Sequence, residues 1–242
     1  MYSGIIEVLD KYFEGRWFLD SGSLLGVIRD GEFLKQDKGI DISVIIEDYH
    51  TPIFEKCIGE FKRQGFVVSR YQWNGTTYKY CLVPKSKNTI RYAIDLHLFK
   101  KIGDNYLCPQ MKIEKSVVKI IGLMRGIRKG NMYLKKRGVV GSLQSVFLKI
   151  YRDYFEYFGR PMNMNKLTSG KTENLYKWYI PVRLFNGVER EHYYGFNILK
   201  DCDDYLTLRY GNWHIPVSDW VTLRDDGGIS HSNRNEISSL LR

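Results

Sequence analysis

The hydrophobic positions change period several times along the chain, and each change marks an element. Ile5, Ile6, Leu9, Tyr12 and Phe13 recur at helical spacing and predict a helix over residues 4–14. A short apolar run, Trp17-Phe18-Leu19, gives way to the small-residue turn Ser21-Gly22-Ser23 and an apolar helical stretch from Leu24 to Ile28. Ile40-Asp41-Ile42-Ser43-Val44-Ile45-Ile46 then reads as a strand, with Asp41 on the face opposite Ile40 and Ile42. Thr51-Pro52 opens an amphipathic helix as N-cap and first helical residue. Phe54, Cys57, Ile58 and Phe61 form its buried stripe, and Gly65 ends it. Three further strands are predicted at 66–71, 78–83 and 92–99, the first two joined by a hairpin turn at Asn74-Gly75. The third presents Asp95 between apolar neighbours, as the earlier strand presents Asp41. This order of elements predicts an α+β fold in which helices pack on a small mixed sheet.

The pattern loosens after about residue 100. Lys112, Lys115, Lys119, Arg125, Arg128, Lys129, Lys135, Lys136 and Arg137 make residues 111–138 strongly basic, and Gly122, Gly126, Gly130 and Gly138 interrupt any long helix there. A helical stripe returns over 142–158 through Val146, Phe147, Ile150, Tyr154 and Phe158, and Gly159-Arg160-Pro161 ends it. The tail from 162 holds short segments and many turns, with no internal repeat and no low-complexity tract. The expected organisation is a core over residues 1–105, with residues 106–242 completing the same globule as a basic helical segment and an irregular C-terminal region.

Composition narrows the partners. Of the 242 residues, 43% are hydrophobic and 26% charged, ordinary globular values. A net charge of +10 and a pI near 9.3 favour anionic partners such as nucleotide donors, anionic lipid, phosphorylated polymers or nucleic acid. No RNP-like, helix-turn-helix or zinc pattern accompanies the charge, so no nucleic-acid partner is expected. The basic run reads as a solvated surface, a donor or polymer channel, or a peripheral contact with an anionic membrane. Cys57, Cys81, Cys108 and Cys202 are widely spaced with no C-x-x-C pair, which argues against a zinc knuckle or disulfide scaffold and for a reducing compartment. The amphipathic N-terminal stretch lacks the layout of a signal peptide, and no window approaches 18 apolar residues. A cytoplasmic setting is expected, peripheral to the inner face of a bacterial membrane.

The stretch from Trp17 to Ile46 concentrates the candidate chemistry. Gly22 lets the backbone approach a ligand, Ser21 or Ser23 can cap the next helix, and a helix start with unpaired N–H groups suits an anion. A phosphate cradle followed by the strand-borne Asp41 reads as metal-assisted phosphate chemistry. The competing reading is a Gly-Ser turn and a strand Asp that serve only the fold.

The segment Phe18-Leu19-Asp20-Ser21-Gly22-Ser23-Leu24-Leu25-Gly26-Val27-Ile28-Arg29-Asp30-Gly31-Glu32-Phe33 resembles the N-terminal signature of the LicD/fukutin family. Leu184-Phe185-Asn186-Gly187-Val188-Glu189 is similar to the family's F-E-G-x-x-[FV] element. Leu206 to Pro216, LTLRYGNWHIP, is similar to its Y-L-x-x-x-Y-G-x-W-x-x-P motif. The likeness touches residues 4–46, 92–99 and 180–216. It implies a nucleotidyltransferase-type fold and a metal-dependent phosphotransferase. Such an enzyme moves phosphocholine or a polyol phosphate from a CDP-linked alcohol donor to a cell-surface polysaccharide or lipid-linked glycan. By that resemblance Asp41, Asp95 and Asp37 hold Mg²⁺ or Mn²⁺ and carry the catalysis, and Gly22, Ser23 and Arg29 hold the donor phosphates. Asp20, His97, Glu189 and His214 are the residues expected to meet the acceptor or support the ligands.

The chain also departs from the family. The acidic run D-D-D-I-D is Asp37-Lys38-Gly39-Ile40-Asp41 here, so the carboxylate sharing Asp41's strand face is missing. Asp37 remains, beside a glycine that lets the backbone bring it in. Gln36 stands for the family's Trp and Asp30 for its His. Two other functions stay open: a nucleotidyltransferase, told apart by releasing pyrophosphate, and a non-catalytic member binding nucleotide or a partner, which the Gly39 change supports.

Overall fold

Two parallel strands, β2 (Gly39–Ile46) and β5 (Ala93–Ile102), form the axis of the computed structural model, which describes residues 2–35, 37, 39–85, 93–112, 162–163 and 172–242. Outside β2 lies β1 (Trp17–Leu19), antiparallel to it. On its other side β5 pairs antiparallel with β4 (Thr76–Pro84), and β4 with β3 (Phe66–Trp73). The short β7 (Met162–Asn163) joins β3 in parallel. Past β5 the chain turns into β6 (Asn105–Met111), which extends the same sheet through β8 (Leu175–Pro181) to β11 (Ile229–His231). A separate ribbon joins β9 (Val188–Arg190) to β10 (Asn197–Leu199). The expected α+β class with a mixed sheet is what the chain adopts.

The alternation read from the sequence decides which way each central strand faces. Ile40, Ile42 and Val44 on β2, and Ile94, Leu96 and Leu98 on β5, are at most 2% exposed and belong to one apolar core with Leu9, Phe13, Phe54 and Phe61. Each such side chain contributes roughly 1.5–3 kcal/mol by leaving water. Because the side-chain period is two, the same register turns Asp41, Ser43, Asp95 and His97 to the other face.

Among the described residues, six α-helices cover the sheet. Helix α1 (Ser3–Phe13) packs on β1 and on α3 (Ile53–Arg63), and α3 lies on β3. Helix α2 (Ser21–Asp30) lies on β2 and touches α4 (Cys202–Tyr210). A short α5 (Thr222–Asp225) precedes α6 (Arg234–Leu240), which packs on β6 and β8. No helix among the described residues is long and apolar enough to cross a membrane. The four cysteines are buried thiols and form no disulfide.

The hairpin turn forms as read. Asn74 and Gly75 both have positive φ, 48° and 87°, and link Trp73 to Thr76 as a two-residue turn of the type Asn-Gly favours. Two capping expectations are corrected. Helix α3 starts at Ile53 with Pro52 as its N-cap, and no side chain caps it, so Thr51 does not. Helix α2 is capped by Asp20, whose carboxylate accepts the Ser21 N–H, and not by Ser21 or Ser23. An ionised carboxylate at the helix start is favoured over a hydroxyl because it also meets the positive end of the helix dipole. The basic run beyond Lys112, the helix expected over 142–158, and Gln36, Lys38 and Tyr92 lie outside the described residues.

Candidate active site

Asp41 and Asp95 are direct register partners across the parallel β2–β5 pair, and Ser43 and His97 are the next pair on that face. One ligand atom from each of Asp41, Asp95 and His97 falls within 4.8 Å of the others. His97 is 1% exposed and packs against Trp178, the rings tilted by 53° with centroids 4.8 Å apart. Its Nδ1 lies 3.1 Å from Gln110 Nε2, an amide donor in this orientation, so the ring proton sits on Nε2 and is given to Asp41 Oδ1 at 3.2 Å. His97 thus orients Asp41 through its Oδ1. On the far side of Asp95, Lys79 from β4 donates to Oδ2 at 2.8 Å. Burial alone would raise the Asp95 carboxyl, but the Lys79 charge and the hydrogen bonds from Lys79 and Cys81 hold it below the usual range.

The N-terminal end of α2 is locked onto these strands. Ser23 is 1% exposed and its Oγ accepts the Asp41 N–H at 2.9 Å, while the Asp20 N–H donates to the Asp41 carbonyl at 2.9 Å. Ser23 therefore fixes the Asp41 backbone from behind and does not line the pocket in front of it. Gly22 does line it, and for a reason the sequence did not reveal: a Cβ there would collide with the Asp37 carboxylate. Asp37 folds over Gly22 with no hydrogen-bond or ion-pair partner for its carboxylate among the described residues. Burial first, and the Asp41 charge second, push its pKa up.

Asp20 is fully buried and works as a hub. Its carboxylate accepts from the Ser21 N–H, the Ser43 hydroxyl, the Tyr205 hydroxyl at 2.6 Å and Arg209 Nη1 at 2.9 Å. Arg209, 2% exposed, also grips Asp226 through Nε at 2.6 Å. Ser21 is held beside this network with φ 52°, a conformation that costs a non-glycine residue on the order of 1–3 kcal/mol. Asp20 therefore orients the turn, and its burial rules out contact with an acceptor.

A pocket of about 440 Å³ opens in front of Asp41. Gly22, Arg29 and Asp37 line it together with the aromatic residues Trp178, Tyr210, Trp213 and Trp220. The indole N–H groups of Trp178 and Trp213 are buried with no hydrogen-bond partner among the described residues. Unmet donors of this kind cost about 1–3 kcal/mol each. Arg29 lies at the wall, but Asp30 takes its charge through paired contacts of 2.8 and 2.9 Å.

Residues 14–116 match the family model described as LicD/FKTN/FKRP, nucleotidyltransferase domain. That stretch of the chain is thus similar to the nucleotidyltransferase domain of the LicD/fukutin family. Compared with curated proteins, the chain matches none. The LicD match covers both Asp-bearing strands and the α2 turn, but ends before the aromatic lining and Arg209, which come from the C-terminal third.

Two residues singled out on LicD resemblance lie elsewhere. Glu189 is exposed on the β9–β10 ribbon and lines a separate depression with Val27, Ile28 and His192. His214 stacks on Trp213 with its side chain 65% exposed, and borders another depression with Lys200 and Asp203. Sequence reading missed Lys79, Gln110, Trp178, Tyr205, Arg209 and Asp226. For Lys79 a signal existed: it alternates with Tyr78 and Tyr80 on a strand, so it faces away from the core that they enter.

The donor set suits the divalent cation that LicD-type chemistry implies. Asp41 and Asp95 offer hard oxygens side by side, and Asp37 adds an unpartnered carboxylate at the pocket wall.

Proposed function

We propose that the chain is a metal-dependent phosphotransferase. It would move a phosphorylated alcohol, phosphocholine or a polyol phosphate, from a CDP-linked donor to a hydroxyl of a cell-surface polysaccharide or lipid-linked glycan. The acceptor oxygen bonds to phosphorus as the bond to CMP breaks, releasing CMP and a proton. The observation that carries the reading is the register pairing of Asp41 with Asp95 on parallel strands, inside a matched nucleotidyltransferase domain.

Phosphoryl transfer asks the protein for positioning and electrostatics more than for covalent chemistry. Asp41, Asp95 and Asp37 would hold Mg²⁺ or Mn²⁺, which supplies charge to the donor phosphates. His97 and Ser23 keep Asp41 in place. The Gly22 backbone and Arg29 stand on the phosphate side of the pocket. The aromatic side chains of the pocket offer faces for stacking. Strong positive charge over the whole chain suits an anionic donor and an acceptor at an anionic membrane.

The test is incubation with CDP-choline and CDP-ribitol plus Mn²⁺ and a glycan acceptor, with free CMP as the readout. CMP release that needs metal, and falls on the order of 100-fold or more in Asp41→Ala, supports the proposal, since metal-held charge stabilises the transition state by several kcal/mol. Pyrophosphate release from nucleoside triphosphates would replace it with a nucleotidyltransferase. Nucleotide binding without turnover, unchanged by Asp41→Ala, would leave a non-catalytic binding protein.

A further inference from the structure

Lys79 stands where the metal chemistry leaves no role for a cation. Its ammonium donates to Asp95 Oδ2 at 2.8 Å from a side chain only 16% exposed, less than the 29% of Asp95 itself. Lys79 is the cross-strand partner of His97 on β4, so it shares the face that carries Asp41 and Asp95. Among the described residues it is the one lysine or arginine bonded to this trio of Asp37, Asp41 and Asp95, because Arg29 is held by Asp30 and Arg209 by Asp20 and Asp226.

Charge counting gives this placement a meaning. Asp41 and Asp95 are register partners, Asp37 lies with Gly22 at the edge of the same pocket, and the family's additional carboxylate is Gly39 here. Two divalent ions about 3.5–4 Å apart would need bridging oxygens and would overcharge three carboxylates. One divalent ion and one ammonium balance them. A second ion bridging through Asp95 Oδ2 would also have to expel the buried ammonium.

Resting on the metal-dependent reading above, we propose that Lys79 is a built-in cation of the site, occupying Asp95 Oδ2 in place of a second divalent ion. The site then accepts one divalent ion, on Asp41, Asp37 and the remaining Asp95 oxygen. Lys79 is a positioning residue: it acts on the reaction through Asp95.

Mn²⁺ titration of the full chain, followed by the electron paramagnetic resonance of free Mn²⁺, tests this without any turnover. Wild type takes up one equivalent, and Lys79→Arg keeps one. Lys79→Met and Lys79→Gln, checked for folding by thermal melting, take up a second equivalent or bind the first roughly tenfold more tightly. Asp41→Asn weakens uptake far more than Asp95→Asn does, because Asp95 has only one oxygen left for the ion while Lys79 holds its Oδ2. Two equivalents in wild type, or neutral variants that fold and bind as wild type does, would overturn the assignment of Lys79 alone. No uptake by wild type or by either neutral variant would overturn the metal-dependent reading beneath it. Should neither neutral variant fold, the contrast between Asp41→Asn and Asp95→Asn decides, and equal loss in both overturns the proposal.

Discussion

Arg209 and Asp20, 189 positions apart in the chain, meet at 2.9 Å with side chains 2% and 0% exposed. The contact ties the turn that caps α2 to α4, and through Asp226 to the loop before β11. Gly227 and Gly228 make room for it: a Cβ at Gly227 would strike the Leu208 carbonyl, and one at Gly228 would strike the Arg209 side chain. Arg209→Met leaves Asp20 and Asp226 buried without their counter-charge, and should cost about 3–5 kcal/mol in urea unfolding. Arg209→Lys should fail nearly as badly, since one ammonium cannot bond both carboxylates through a fork. A loss below about 1 kcal/mol in Arg209→Met would show that the network is ornamental to stability.

The two carboxylates of the turn respond to pH in opposite directions. Burial would raise Asp20, but Arg209 and the hydrogen bonds from Ser43, Tyr205 and Ser21 outweigh it and lower its pKa. Its contribution is therefore present above the ordinary carboxylate value of about 3.9 and is lost as pH falls through the lowered folded value. Asp37 is raised, so it favours the fold below the ordinary value, and that benefit disappears as pH rises through the raised one. Asp37→Asn should therefore raise the metal-free melting temperature at pH 7 by roughly 1–2 °C, and leave it unchanged once both forms are protonated. The same variant should bind Mn²⁺ more weakly. A lower melting temperature at pH 7 would contradict the placement of Asp37 as an unpaired, desolvated charge.

Gly22→Ala separates packing from ligand approach. Alanine is the better helix former by up to about 1 kcal/mol, so an effect on the helix alone should be neutral or stabilising. Its methyl group would push the Asp37 carboxylate off the pocket wall. The expected outcome is an unchanged or higher melting temperature together with Mn²⁺ affinity reduced several-fold. Unchanged affinity would mean that Asp37 does not serve the metal.

The strand alternation made Asp41, Asp95 and His97 legible, because a period of two says which residues share a face before any pairing is known. It could not say that β4 lies beside β5, and so hid Lys79, whose meaning comes from a neighbour 16 residues away. Asp20 was read beside the turn, but its role as cap and hub depends on Tyr205 and Arg209, which no local pattern connects to it. Glu189 and His214 sit in motifs that resemble the family's, yet closeness to a motif in sequence did not bring either to the Asp41 pocket. Gly22 was read as a close approach of backbone to ligand, when the group packed against it is a carboxylate of the same chain. What periodicity encodes is facing. Convergence of distant segments on one charge is set by packing, and it has to be seen.

Gly39→Asp tests whether the lost carboxylate is a steric necessity or a change in charge. Among the described residues a Cβ at position 39 would meet only the Ala93 carbonyl oxygen, at an ordinary 3.4 Å, and the residue has no positive φ. The backbone thus accepts a side chain, and at two residues from Asp41 the new carboxylate would share its face. A fourth carboxylate at the site should tighten Mn²⁺ binding roughly tenfold, about 1.4 kcal/mol, since ligand charge sets affinity for hard cations. Added repulsion among the carboxylates should lower the metal-free melting temperature, and Mn²⁺ should more than recover it. Tighter binding with this reversal would mean that the chain has traded metal affinity for a site that stays folded when metal is scarce. Unchanged binding in a folded Gly39→Asp protein would mean that the cation sits away from the β2 face, toward Asp37 and the pocket wall.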